Sequence, residues 1–214
     1  VAMGPVIASI HEKRDEFRGQ IEQEGALAYK PKLRTSTAEG RMAVPLENCS
    51  DCTRCAALCC IAYPSQDMPG FAAAKDAGEA CPKLANDGQC TIYADRADQG
   101  FAGCIRFECF GAGQHVVQHL FEGKDWRSEP ALMGAMIESF LAMRPVSDLA
   151  FLVSRALAAL PDDATVARLH ALDSELAEIA STRETLRDTA RIGEVQRNIR
   201  AVFATLDPET LRTS

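Results

Sequence analysis

Residues 49–60 read C-S-D-C-T-R-C-A-A-L-C-C, and this stretch decides how the surrounding chain folds. Spacing of the form C-x2-C-x2-C-x3-C lets one loop wrap several thiolates around an iron–sulfur cluster, and it is met by Cys49, Cys52, Cys55 and Cys59. All nine cysteines of the chain lie between Cys49 and Cys109. The sequence therefore predicts that its chemistry is concentrated in one metal-binding segment.

The same spacing occurs in bacterial ferredoxins, but this chain departs from them in two respects. Cys60 stands where the ferredoxin run has a proline, and no second copy of the run is present to exchange a fourth ligand. The spacing consequently indicates a cluster or metal more strongly than it indicates a ferredoxin.

The segment from residue 49 to residue 109 is poor in the side chains that form a core. Only eight of its 61 residues are Leu, Ile, Val or Phe, which is little apolar surface to offset the entropy of ordering the chain. Metal ligation can supply the folding free energy that this small apolar surface does not provide. Ligand bonds absent from the unfolded chain contribute on the order of 10 kcal/mol to folding at a structural zinc site.

Charge and hydropathy limit the classes of partner. A net charge of −7 and a pI near 5.2 oppose nucleic acid or an anionic membrane as the main partner, since binding phosphates requires a basic surface. No leader peptide and no long apolar run is recognisable, so a cytoplasmic location is expected. Thiols stay reduced there, which favours metal binding over a disulfide framework.

The later cysteines lie in two further motifs, C-P-K-L-A-N-D-G-Q-C-T-I-Y-A-D-R at 81–96 and C-I-R-F-E-C at 104–109. Together with the opening run, they resemble the YkgJ-type cysteine-cluster family, described as zinc- or iron-chelating CxxCxxCC domains, over residues of about 49–114. This chain departs from the family pattern in having three residues, not two, before the double cysteine, and in the additional Cys49. The resemblance implies eight ligands: Cys52, Cys55, Cys59, Cys60, Cys81, Cys90, Cys104 and Cys109.

The adjacent pair Cys59 and Cys60 bears on the number of centres. Neighbouring side chains diverge by about 100° on a helix and point to opposite sides of a strand, so the two thiols should serve two centres, or one centre and a free thiol. Two four-ligand sites and one [4Fe-4S] cluster with spare cysteines are both open. Iron–sulfur is the leading choice of metal, zinc is the main competitor, and copper or another thiophilic metal is third.

Glycines and histidines follow the last cysteine. Gly111 and Gly113 precede a helix, where their backbone could approach a cofactor closely and direct N–H groups at it; an ordinary loop is the alternative. His115 and His119 are four residues apart and could chelate a metal from one helix face, with solvent exposure or packing as the default. No catalytic triad, paired-carboxylate signature or phosphate loop is recognisable.

The expected fold is mostly α, with an irregular cysteine-rich segment packed against an N-terminal helix and a C-terminal helical bundle. The predicted domains are an N-terminal helix and linker (1–48), the metal-binding segment (49–114) and the bundle (115–214). Apolar spacing predicts the individual helices at 5–28, 115–123, 131–144 and 147–160, then a helix after Pro161 and a final one opened by a Ser181–Glu184 capping box. The last two helices could pair within the chain or form a dimer interface.

The leading functional expectation is an iron–sulfur protein of the [4Fe-4S] class that transfers electrons or serves as the redox component of an oxidoreductase. A zinc-stabilised interaction module is the first alternative. An enzyme whose cluster iron has an open position near His115 or His119 is the second. The expected partner is a redox protein or a small-molecule substrate.

Overall fold

The computed structural model describes residues 44–161 and 164–206, all within one unit that spans Leu33–Ser214. The predicted N-terminal helix over 5–28 and most of the connection over 29–48 lie outside the described residues. Within them, two 3-10 turns occupy Cys52–Arg54 and Pro130–Leu132, and a π-helical turn occupies Val116–Leu120. The α-helices are α1 (Leu58–Ala62), α2 (Ala102–Arg106), α3 (Ala112–His115), α4 (Met133–Ala159), α5 (Ala164–Ile179), α6 (Arg183–Leu186) and α7 (Thr189–Phe203).

The long helix α4 is the centre of the bundle. It contacts α1, α3, α5, α6 and α7, and Phe140, Met136 and Met143 on it are fully buried. The prediction of two helices separated near Pro145 is wrong, because α4 runs continuously through this proline. A proline removes one helical hydrogen bond, but buried residues before and after it belong to the same core, so packing along the whole face keeps the helix unbroken.

The predicted start of the final helix is also wrong. The hydroxyl of Ser181 instead donates 2.7 Å to the carbonyl of Glu178, at the end of α5. The capping box is formed one residue later by Thr182 and Thr185, and it opens the short helix α6. The last helix, α7, begins after Asp188, whose carboxylate accepts the Arg191 N–H at 2.9 Å.

The apolar faces of α5 and α7 are covered within the chain. The two helices pack on each other and on α4, and their buried residues join the common core: Leu169, Leu172, Leu176, Ile179, Val195, Ile199 and Val202. This arrangement accounts for the apolar stripes through intramolecular packing, which favours that alternative over a dimer interface.

The cysteine-rich segment is irregular, as predicted. Apart from short helical turns, its regular pairing consists of an isolated antiparallel bridge between Leu84 and Cys90. The segment is fastened to the bundle by α1, because Leu58 and Ile61 are fully buried in the same core as Phe140. The mostly helical class with an irregular cysteine-rich segment is confirmed, while the three domain boundaries stay a prediction. In the described part of the chain, no helix combines the length and apolarity needed to cross a membrane.

Candidate metal centre

All nine cysteines are free thiols, and they differ in exposure. Cys49 and Cys52 are exposed, Cys55 and Cys109 are buried, and the others are half-buried: Cys59, Cys60, Cys81, Cys90 and Cys104. The sulfurs therefore extend from the surface of the opening run into the packed interior beneath it.

The opening run is fixed against the turn that contains the last cysteine. The hydroxyl oxygen of Ser50 lies 2.8 Å from the Sγ of Cys109, and the Cys109 N–H donates to the same hydroxyl at 3.3 Å. Within the run, the N–H of Cys55 donates 3.4 Å to the carbonyl of Cys52. These contacts bring Cys109 beside the opening cysteines although it is distant from them in sequence.

A buried glutamine side chain also binds the opening run. The side-chain oxygen of Gln114 accepts the Asp51 N–H at 2.5 Å, and its NH2 group donates to the Glu47 carboxylate and to the carbonyl of Cys49. Gln114 is 1% exposed, so its amide is committed to these bonds. The sequence offers no signal for this role, since Gln114 stands among glycine and histidine with no motif around it.

A second set of contacts gathers the middle cysteines. The N–H of Cys81 donates to the carbonyl of Cys60 at 3.0 Å, and the N–H of Leu84 donates to the carbonyl of Cys81 at 2.9 Å. The bridge between Leu84 and Cys90 then sets Cys90 opposite this turn. Three cysteines from separate parts of the sequence are thus linked through backbone hydrogen bonds.

Arg96 connects Cys104 to that set. Its guanidinium donates 2.7 Å to the carbonyl of Tyr93 and 3.5 Å to the carbonyl of Cys104, and it stacks on the Tyr93 ring at 3.8 Å from the centroid. The Tyr93 N–H donates in turn to the carbonyl of Cys90 at 3.3 Å. The arginine that ends the 81–96 motif therefore has a positioning role.

The thiols of Cys59 and Cys60 lie closer together than their expected divergence implies. Their Sγ atoms are 4.0 Å apart. Two thiolates bound at about 2.3 Å to one tetrahedral metal lie roughly 3.8 Å apart, so this separation is close to that of a shared ligand pair. The distance alone is compatible with one centre as well as with two.

Burial and mutual repulsion shift the ionisation of the cluster. Burial raises the pKa of Cys55 to about 12. Burial also raises the pKa of Cys104 to about 11, and the thiolates of Cys60, Cys81 and Cys90 raise it further. A cation bound among such groups would relieve the repulsion and release their protons.

Cys60 is the exception, because its pKa is lowered to about 7. The main cause is a hydrogen bond from the Cys59 thiol, and the positive charges of Lys75 and Arg96 contribute against the effect of burial. Lys75 is 8% exposed, and its ammonium donates to the carbonyls of Tyr63 and Asp76 at 2.5 and 3.0 Å. No motif in the sequence indicates a role for this buried cation.

The two candidate glycines have different surroundings. A Cβ atom on Gly113 would lie 2.2 Å from the Sγ of Cys55, so the backbone at this position packs directly against a thiol. Gly111 has φ +79°, caps α3, and would bring a Cβ within 2.4 Å of the Glu47 carbonyl oxygen. Gly113 therefore packs against a thiol and Gly111 against the Glu47 carbonyl, and the approach of either backbone to a cofactor stays a prediction.

The two histidines lie side by side, with ring centroids 4.9 Å apart. The Nε2 of His115 is 2.9 Å from the carbonyl oxygen of Ala180 at the end of α5. Burial lowers the pKa of His115 to about 4, so the ring is neutral at pH 7. His115 thus has a structural contact, while His119 is exposed.

The cysteine sulfurs are donors suited to a soft metal, but the side chains are not arranged around one position. Among the described residues, no group of three or more His, Cys, Asp or Glu side chains is placed to hold a metal ion. Thiolates are the preferred donors for iron–sulfur clusters and zinc, and the clustered sulfurs provide them. Binding would require several of these side chains to turn toward a common point.

The fold and the site define a helical protein with an irregular, cysteine-rich segment fastened to a bundle. The chain is similar to Uncharacterized protein YybG of Bacillus subtilis (strain 168), with 41% identity over 108 residues. The match covers 50% of this chain and 39% of the relative, so the chain spans well under two thirds of that protein. No known family profile and no solved structure matches the chain.

Proposed function

We propose that this chain is an iron–sulfur protein whose cysteine-rich segment holds a cluster of the [4Fe-4S] class. When bound, such a cluster supplies one-electron redox chemistry. The cysteines would act as ligands, and the protein would serve in electron transfer or as the redox component of an oxidoreductase.

One observation carries the proposal: stretches of the sequence that carry the free thiols, although far apart in the chain, are joined by specific hydrogen bonds. Packing alone does not require cysteine at these positions, because another small apolar residue could fill the same space in a core. The resemblance to the YkgJ-type family supports the same proposal, since that family is described as zinc- or iron-chelating.

The charges around the sulfurs also support a thiolate-bound centre. Lys75 is buried, and its ammonium donates to two carbonyl oxygens. A buried cation is costly unless negative charge lies nearby, and metal-bound thiolates at Cys60 and Cys81 would provide it.

Access to the cysteines suits a redox partner or a small substrate. Cys52 is exposed and lines a polar cleft with Thr53, Arg54, Asp125 and Arg127. An electron or a small polar molecule could reach the centre through this side without opening the bundle. For the partner we propose only a class, which is a redox protein or a small-molecule substrate.

Zinc is the second candidate because of the pair formed by Cys59 and Cys60. Their 4.0 Å separation is close to the roughly 3.8 Å between ligands of one tetrahedral ion. In this case the centre would stabilise the segment, and the helical bundle would present an interaction surface.

Purification without air, followed by iron, zinc and acid-labile sulfide analysis with a visible spectrum, separates the candidates. We expect brown protein with iron and sulfide in equal amounts. Colourless protein with zinc and without sulfide would replace the leading proposal with the second one.

A further inference from the structure

We propose that a groove between α4 and the segment from α6 to the start of α7 binds a small organic acid, and that Arg183 recognises the carboxylate of this ligand. The groove has a volume of about 360 Å³, within the range of about 300–1,000 Å³ typical of small-molecule sites. Its lining lies outside the cysteine-rich segment and includes Glu138, Ser139, Ala142, Arg183, Leu186 and Arg187. The proposal therefore goes beyond the proposed function and requires no metal.

The inner part of the groove is suited to the hydrocarbon part of a ligand. Leu186 on α6 belongs to the hydrophobic core, and Ala142 on α4 packs against that core. Ser139 is buried as well, and its hydroxyl already donates to the carbonyl of Ala135 at 2.8 Å. Because that hydroxyl proton is engaged within α4, the inner surface presents mainly apolar groups to a ligand.

Arg183 provides a cationic group with an unpaired donor. Its guanidinium carbon lies 4.9 Å from the centroid of the Phe121 ring, a contact that orients the side chain. The Nε of Arg183 is buried, and no other described residue offers it a hydrogen-bond acceptor. Leaving a buried charged donor unpaired is costly. The planar guanidinium matches the two oxygens of a carboxylate, so a carboxylate ligand would supply the missing acceptor.

A neighbouring ion pair contributes to the charge of the groove. Arg187 donates to the two carboxylate oxygens of Glu138 at 3.0 and 2.9 Å. Both side chains are exposed, and an exposed ion pair is weak enough for a second carboxylate to share the arginine. The charged residues of the lining are thus two arginines and one glutamate. This local excess of positive charge favours an anion, although the whole chain has a net charge of −7.

The combination of features selects the class of ligand. An inorganic anion would use the arginines and leave the apolar lining without a partner. A neutral apolar molecule would fill the inner part and leave Arg183 unpaired. A short-chain or aromatic carboxylic acid satisfies both parts of the groove at once, with its carboxylate at Arg183 and its hydrocarbon part near Leu186 and Ala142.

A nuclear magnetic resonance titration of the full chain with hexanoate tests this proposal. Hexanamide, which lacks the charge, and inorganic phosphate, which lacks the hydrocarbon chain, are the matched ligands. We expect saturable binding of hexanoate, and binding of the other two at least about tenfold weaker, because each loses one of the two kinds of contact. The shifted resonances of bound hexanoate should include those of residues that line the groove.

Two substitutions should change the affinity in opposite directions. Arg183→Gln should weaken hexanoate binding by about tenfold or more, since it removes the charged donor. Glu138→Gln should strengthen binding by about threefold, because it frees Arg187 and removes a competing carboxylate. Arg197→Gln, at an exposed arginine of α7 that does not line the groove, should leave the affinity unchanged. Circular dichroism checks that each variant is folded.

Failure of the unmodified, folded chain to bind hexanoate would overturn the proposal without the use of any variant. Equal affinity for hexanoate and hexanamide would overturn carboxylate recognition, and equal weakening by Arg183→Gln and Arg197→Gln would overturn the assignment to Arg183. Binding of an acidic peptide in place of hexanoate would replace the small acid with a protein partner. These results are independent of the iron, zinc and sulfide analysis that tests the proposed function.

Discussion

The backbone N–H of Cys81 donates a 3.0 Å hydrogen bond to the carbonyl oxygen of Cys60. This bond joins the double cysteine of the opening run to the Cys-Pro-x-Leu motif. Backbone bonds of this kind fix the loop around the cysteines, which lowers the entropy that ligand binding must overcome.

Replacement of Gly113 by alanine should disturb the Cys55 thiol. The new Cβ would lie 2.2 Å from that sulfur, so the side chain must move, at a cost of about 1–3 kcal/mol in the free energy of unfolding. Urea unfolding and metal content measure the two effects. Gly134→Ala is the matched control, since nothing lies within 4 Å of its Cβ position on α4, and its stability should be unchanged or higher by up to about 1 kcal/mol. Equal behaviour of the two variants would contradict close packing of backbone against thiol.

Replacement of Lys75 by methionine should weaken metal retention. The buried ammonium lies near Cys60 and Cys81, and loss of a single charge at this range is worth on the order of 1–2 kcal/mol, or about tenfold in affinity. Competition with a chelator measures the change in metal affinity. Lys124→Met, which removes an exposed lysine paired with Glu129, should leave the affinity unchanged. A folded Lys75→Met protein with unaltered affinity would show that the ammonium acts through its carbonyl contacts alone.

Replacement of His115 by glutamine should remove part of the acid sensitivity of the fold. The pKa of His115 is about 4 in the folded chain and about 6.5 when unfolded, so the unfolded chain binds the extra proton first as pH falls. The native state should lose about 3 kcal/mol between pH 6.5 and pH 4 through this residue. Urea unfolding near pH 7 and pH 4.5 should therefore show a smaller loss for His115→Gln than for the unmodified chain.

The exposed His170 on α5 supplies the control for that measurement. His170→Gln should retain the full pH dependence, and any acid release of metal from the thiols affects all three proteins alike. An identical pH dependence for His115→Gln and His170→Gln would refute the structural role assigned to the buried ring.

The amount of the fold that can be predicted from the sequence differs between the bundle and the loop. Repeated apolar spacing identified the helical faces of α5 and α7, because apolar residues with a 3.6-residue period lie on one face of a helix and that face is buried. It did not show that α4 continues through Pro145, since a local rule for proline was overridden by packing along the whole helix. The Ser181–Glu184 pattern predicts the capping box one residue early because Ser181 and Thr182 carry the same local signal.

Cysteine spacing identified the candidate ligands but could not show how the loop is held. Ser50, Lys75 and Gln114 act through contacts with residues distant in sequence, and the cysteine spacing carries no signal for these contacts. Trp126 gives a further case, because nothing in the cysteine spacing marks it as a residue that holds the loop. Its indole N–H donates 2.7 Å to the carbonyl of Ala56, within the opening run.

Replacement of Trp126 by phenylalanine should consequently destabilise the opening run. The buried Ala56 carbonyl would lose its partner, which costs about 1–3 kcal/mol. Thermal unfolding followed by circular dichroism measures the loss. Tyr93→Phe, at a residue that is 57% exposed, should change stability by less than about 0.5 kcal/mol. No difference between these variants would contradict a structural link from Trp126 to the cysteine loop.

Native mass spectrometry of the full chain, isolated without air, tests the central claim most directly because the mass reports metal and sulfide together. We predict a folded chain that carries the added mass of iron–sulfur clusters and loses it on acidification, when the thiolates are protonated. A folded chain isolated at the mass of the polypeptide alone, which also acquires no iron and sulfide on reconstitution, would contradict the account.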